Sequence, residues 1–118
     1  MRRNWITTAI AVVTALIGMQ HLIQALSGLH GGGDPRLLTL EHCATAILAF
    51  IAVYGIVQGK SWSPWLLALA GASAAVLVVS LGPLLDMQPV ERNGLWAGAA
   101  SIAVVTALGV WYLARRVS

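Results

Sequence analysis

Residues 37–57 read LLTLEHCATAILAFIAVYGIV, and Glu41 is the only charged residue in the run. Wound as a helix at 1.5 Å per residue, this stretch is about 31 Å long, the thickness of a bilayer's hydrocarbon core. In lipid every backbone donor and acceptor must be satisfied within the protein, which a helix does by itself. The ends carry matching signals. Asp34-Pro35 precedes the run as a capping residue followed by proline, and Gly59 follows it as a stop. Three more runs of the same kind flank it, so the spans are read as Trp5–Ser27, Leu37–Val57, Trp65–Leu85 and Leu95–Ala114. Ser63-Pro64 offers the same cap-and-proline start to the third run, Gly28 a stop to the first, and Gly82-Pro83 an end or kink to the third.

Composition agrees. Of 118 residues, 58% are hydrophobic and 9% charged, against about 25% charged in a soluble domain; the mean hydropathy is +0.82. The expected fold is all-α: an integral membrane protein built as a four-transmembrane-helix antiparallel bundle, one domain over residues 1–118. Seven Lys and Arg against four Asp and Glu give a net charge of +3. These charges are too few and too scattered for a nucleic-acid partner. A single cysteine, Cys43, leaves no internal disulfide.

Charge sorts by side. Arg2, Arg3, Lys60, Arg115 and Arg116 flank the ends that share one face when the crossings are even in number, against Arg36 and Arg92 on the other. The positive-inside rule then puts both termini in the cytoplasm. Trp5, Trp62, Trp65, Trp111 and Tyr112 fall at that same interface as an aromatic belt, with Trp96 alone at the outer one. The expected location is the bacterial inner membrane. Met1-Arg2-Arg3-Asn4 has the look of a signal-peptide start, but the apolar run behind it is longer than such a segment needs, so an uncleaved anchor is expected.

Polar side chains inside spans are costly and are the first place to look for function. They gather toward the outer face: Gln20, His21 and Gln24 on the first span, Glu41, His42, Cys43 and Thr45 on the second. His21 and Glu41 lie at similar depths, so across the first hairpin His21 can meet Glu41 or His42. His21, His42 and Glu41 are the ligand types of a metal site, and two histidines on facing helices the ligand types of a haem. No His-x-x-His or Cys-x-x-Cys spacing supports either, so no metal or haem cofactor is expected. Glu41 with His21 would suit a proton or small-solute path. The plainer reading is a set of interhelical hydrogen bonds that fixes packing. No catalytic constellation is present. The last two spans are rich in small residues: Gly94 and Gly98 form a Gly-x-x-x-Gly, Ser101 continues that side of the helix, and Gly71 lies on the third span. They serve packing of the third helix on the fourth, or self-association.

Arg2-Arg3 before the first span, Gly18 three residues ahead of His21, Pro35 in the loop, Leu40-Glu41 opening the second span and Gly55 near its end carry a resemblance. Over this first half the chain resembles the DoxX-like group of small four-helix membrane proteins, although His21 stands where that group more often has lysine. The resemblance implies a four-helix bundle, sometimes a membrane subunit of a redox system, with His21 and Glu41 as candidate functional positions. Taken together, the expected function is a non-enzymatic membrane protein, embedded in the lipid bilayer, that associates with copies of itself or with a larger membrane complex. The alternative is a redox-complex subunit or a small-solute or proton conductor working through the outer polar cluster.

Overall fold

A computed structural model describes residues 4–30 and 36–117. They form four helices, α1 (Trp5–Leu29), α2 (Arg36–Val57), α3 (Ser63–Leu84) and α4 (Pro89–Val117), each long and apolar enough to cross a membrane. α1 packs along α2, α2 along α3, and α3 along α4. The molecule measures 45 × 30 × 19 Å; its long axis matches the roughly 40–45 Å of a bilayer with its headgroups.

Helix ends depart from the sequence expectation in instructive ways. Asn4 caps α1, its side chain accepting from the Thr7 N–H at 2.9 Å. Gly28 does not stop α1, which continues to Leu29. Its role is close approach, because a Cβ there would run into the Thr39 side chain of α2. Ser63 is not the cap of α3 either. Trp62 occupies that place, and Ser63 lies inside the helix, fully buried against Gly55, with its hydroxyl unpartnered. α4 begins at Pro89 rather than near Leu95. Hydropathy marks where the apolar stretch starts, whereas proline in the first turn followed by Glu91 lets the helix start earlier in a polar setting. The cap expected at Asp34-Pro35, like Arg2 and Arg3, lies outside the described residues.

Two helix ends share one backbone device. After α2, Gly59 (φ 66°) turns the chain left-handed, with Lys60 N–H on Gly55 C=O at 2.8 Å and Gly59 N–H on Ile56 C=O at 3.2 Å. After α3, Asp86 (φ 52°) does the same, with Met87 N–H on Gly82 C=O at 2.9 Å. Both satisfy terminal carbonyls that a membrane helix cannot leave bare. Pro83 therefore sits within the last turn of α3 without ending it.

The interior is made mostly of small side chains. Ala25, Ala46, Ala49, Ala52, Ala70 and Ala74 are buried, while Leu16, Trp65 and Val105 stand 64%, 74% and 66% exposed. One buried cluster, Ala11, Ala52, Ile56, Leu67 and Leu113, joins all four helices. At the same end Asn4 donates to the Tyr112 hydroxyl at 2.6 Å, Trp62 stacks on Tyr54 with ring centroids 6.4 Å apart, and the Arg115 guanidinium lies 4.8 Å over the Trp111 ring. α3 and α4 pack tightly at Gly71, where a Cβ would collide with the Thr106 side chain. At Gly98 it would make an ordinary 3.6 Å contact with Val78, and at Gly94 it would meet nothing. Ser101 is exposed and donates to its own helix at Ala97 C=O, 3.0 Å away.

Two expectations follow for thermal unfolding in detergent. Gly59→Ala destabilises by about 1–2 kcal/mol, the cost of a left-handed Cβ, and Asp86→Gly raises the melting temperature for the same reason. Gly71→Ala destabilises by roughly 1–3 kcal/mol through overpacking, whereas Gly94→Ala changes stability by less than about 0.5 kcal/mol or improves it. Equal effects at Gly71 and Gly94 would contradict the described α3–α4 contact.

Candidate functional site

The polar cluster is built on α2, whose inward stripe carries His42 and Thr45 one turn apart between Leu38 and Ala49. α1 faces it with Thr14, Gly18 and Ala25, and His21 lies half-buried along this stripe. Gly18 lets the two backbones close up, since a Cβ there would lie 3.2 Å from that of Ala49. His21 and His42 consequently meet directly, Nδ1 to Nδ1 at 2.9 Å. One ring must donate an Nδ1–H and the other accept it.

Glu41 precedes His42 by one residue, about 100° around the helix, and turns to α3 instead. The Ser80 hydroxyl lies 3.2 Å from its Oε1 and 2.7 Å from Val76 C=O. A hydroxyl has one proton, and the shorter, intrahelical bond has the better claim on it. Glu41 Oε2 is buried with no hydrogen-bond partner. One turn deeper, Thr45 Oγ1 and Ser73 Oγ bond at 2.6 Å across the α2–α3 contact.

The expected cluster is thus sorted into three cross-helix contacts, one toward α1 and two toward α3. His21, Glu41, His42 and Thr45 each belong to one of them. Gln20 and Gln24 are exposed and stand outside them, as does Cys43, which is half-buried. Arg36 and His30 are exposed at their helix ends. Ser73 and Ser80 are the partners that the sequence reading did not assign to the cluster. Their seven-residue spacing, two turns on one side of α3, was the available signal. Among the described residues no group of three or more His, Cys, Asp or Glu side chains is arranged to hold a metal ion. What the arrangement offers chemically is a shared proton between two imidazoles and a carboxyl group short of donors.

A double-mutant cycle on Thr45→Val and Ser73→Ala should return a coupling of about 0.6 kcal/mol, with about 1.7 kcal/mol as the upper end for such bonds in a membrane. Gln20→Leu and Gln24→Leu should leave the melting temperature unchanged. A zero coupling for the first pair, or a loss from the second, would place the contacts elsewhere.

Compared with protein-family models, curated proteins and solved structures, the chain matches none.

Proposed function

We propose that the protein is a non-enzymatic inner-membrane subunit, a four-span antiparallel bundle with both termini in the cytoplasm, that associates with copies of itself or with a larger membrane complex. The observation that carries this reading is the outward side of α4. Gly94, Ala97 and Ser101 are exposed there at small-residue spacing, and Val104 and Leu108, each about three-fifths exposed, continue the same side of the helix. Helices in lipid attract each other through van der Waals contact between close backbones, which small residues permit. The orientation rests on the basic residues and tryptophans gathered at one set of helix ends.

The assignment is open to direct test. Because nothing stands within 4 Å of a Cβ at Gly94, Gly94→Leu should leave the fold and melting temperature intact. It should convert an oligomer, measured by native mass spectrometry from mild detergent, to single chains. A wild-type chain that is monomeric, or an oligomer indifferent to Gly94→Leu and Ser101→Leu, rejects self-association through α4. For topology, a reporter active only in the periplasm should be silent when fused after Ser118 and active when inserted at Gly32; the reverse overturns the orientation.

A second reading is favoured by one specific observation, the unpartnered Oε2 of Glu41. A buried polar atom without a partner costs about 1–3 kcal/mol, and groups that take up and release protons or cations are a common reason for tolerating it. On that reading the cluster handles protons or a small cation, and the redox-linked role implied by the resemblance falls in the same class. Wild-type protein in pH-loaded liposomes should then pass protons faster than empty liposomes, and Glu41→Gln should abolish the flux while remaining folded. Equal flux in empty and loaded liposomes removes the reading.

A further inference from the structure

α1 and α4 are the first and last of a row, α1 packed along α2 and α4 packed along α3. Between them the bundle leaves a lengthwise slot of about 250 Å³, walled by Ile10, Val13 and Ile17 of α1 and by Val105 and Gly109 of α4, with Leu67 of α3 also lining it. Thr14 lines it too, but turns its hydroxyl back to Ile10 C=O at 2.7 Å, which leaves the α1 wall apolar. Val13 and Val105 are exposed, so the slot opens sideways to whatever surrounds the helices.

Along α4 the slot runs toward charge. Val105, Gly109, Tyr112 and Arg116 follow one another at i, i+4, i+7 and i+11, which is one side of a helix. Tyr112 takes the bond from Asn4 of α1 across the end of the slot. Beside it Trp111, Tyr112, Arg115 and Arg116 line a second cavity of about 410 Å³. Gly109 and Arg116 are separated by about 10 Å along the helix axis. Arg115 already lies over the Trp111 ring, but each guanidinium carries five N–H donors, so neither arginine has to be without other contacts in order to receive an anion. The acidic residues Asp34, Glu41, Asp86 and Glu91 belong in sequence to the opposite set of helix ends.

We propose that the slot and the basic cavity together seat one anionic phospholipid, with an acyl chain between α1 and α4 and the phosphate at Arg115 and Arg116. Size and charge both select this occupant. Spread over the roughly 12 Å from Ala9 to Ile17, the slot offers about 20 Å² of cross-section. That suits one hydrocarbon chain and falls far short of the ~80 Å² of a helix 10 Å across, so a second copy does not fill it. A free phosphate would suit the arginines but has no use for the apolar slot. Tryptophan and tyrosine rings sit at headgroup level in membrane proteins, and basic pockets between membrane helices receive anionic headgroups. The seat depends on the chain lying in a bilayer, and neither on its orientation nor on self-association.

The test uses the whole protein in mild detergent, titrated with phosphatidylglycerol or with phosphatidylcholine of the same acyl chains and read by native mass spectrometry. Phosphatidylglycerol should bind about tenfold more tightly or better. Arg115→Gln combined with Arg116→Gln should bring the two lipids within about threefold of each other. Lys60→Gln, which removes a charge from the α2–α3 connection, should leave the preference unchanged. Val105→Phe, at an exposed position on the slot wall, should weaken both lipids by about threefold or more without lowering the melting temperature. Equal binding of the two lipids, a preference that survives loss of both arginines, or one that Lys60→Gln removes as fully, overturns the seat. So does binding indifferent to Val105→Phe. Inorganic phosphate bound by a chain that retains neither lipid would make this a free-anion site and overturn it as well. If the double arginine variant does not fold, Arg115→Gln alone, at an exposed side chain, and Val105→Phe decide. The Gly94→Leu chain should bind phosphatidylglycerol as the wild type does, so failure of self-association and failure of the seat are separate results.

Discussion

Everything in this bundle depends on one constraint: in lipid, a large apolar side chain gains little by being buried. Lipid tails are as apolar as leucine, so helices are drawn together by close backbone contact rather than by escape from water. The chain follows that rule over most of its length. Alanines make up most of the buried apolar residues, joined by Leu38, Ile56, Leu67, Leu77 and Leu113, while most other leucines, valines and tryptophans point outward. A soluble bundle would reverse the arrangement, with an apolar stripe inward and a polar one outward. These helices are apolar on all sides, and it is side-chain size that distinguishes one side from another.

Small residues at the seams fix where polar groups can meet. Gly18 and Gly28 bring α1 against α2 at Ala49 and Thr39, and the histidine pair lies on the stretch between them. Had either glycine carried a bulky side chain, the backbones would stand further apart and two imidazoles could not touch at 2.9 Å. The α2–α3 seam, lined by Ala46, Ala70 and Ala74, likewise allows two short hydroxyl side chains, Thr45 and Ser73, to bond directly. Serine and threonine reach across a seam only when the backbones are close. The polar cluster is thus a consequence of the small-residue packing as much as of the polar residues themselves.

This explains how far the sequence could be read. The four spans were legible, because a run of apolar residues about as long as the bilayer is thick has few other uses. Helix ends were less so. Gly28 was read as a stop when its lack of a side chain serves approach to Thr39, and Ser63 was read as a cap when it lies inside the helix against Gly55. In each case the residue type was noticed, but its use depended on a neighbouring helix that no local pattern reveals. The cluster followed the same logic. Depth arithmetic placed His21, Glu41 and His42 at one level, but choosing between Glu41 and His42 as the partner of His21 required the rotation of α2 about its axis. In a helix apolar on every side, hydropathy carries no information about that rotation. The small residues do: Thr45, Ala49 and Ala52, continued by Ile56, mark one side of α2, and His42 lies on it whereas Glu41 is turned toward α3.

The two ends of the bundle are held by different physics, and that difference bears on what the molecule can do. The end containing the Ala11, Ala52, Ile56, Leu67 and Leu113 cluster joins all four helices by apolar packing and is tied further by the Asn4–Tyr112 bond. Changing it would mean separating packed apolar side chains and losing dispersion contacts at every one. The other end is joined by polar pairs worth on the order of 1 kcal/mol each, and such pairs can exchange partners with water or headgroups at little cost. Along α2 the polar contacts descend as far as Thr45 and then give way to Ala49, Ala52 and Ile56. Polar contacts and apolar packing thus divide α2 between them, and what the polar end can exchange, the apolar end is too tightly packed to follow.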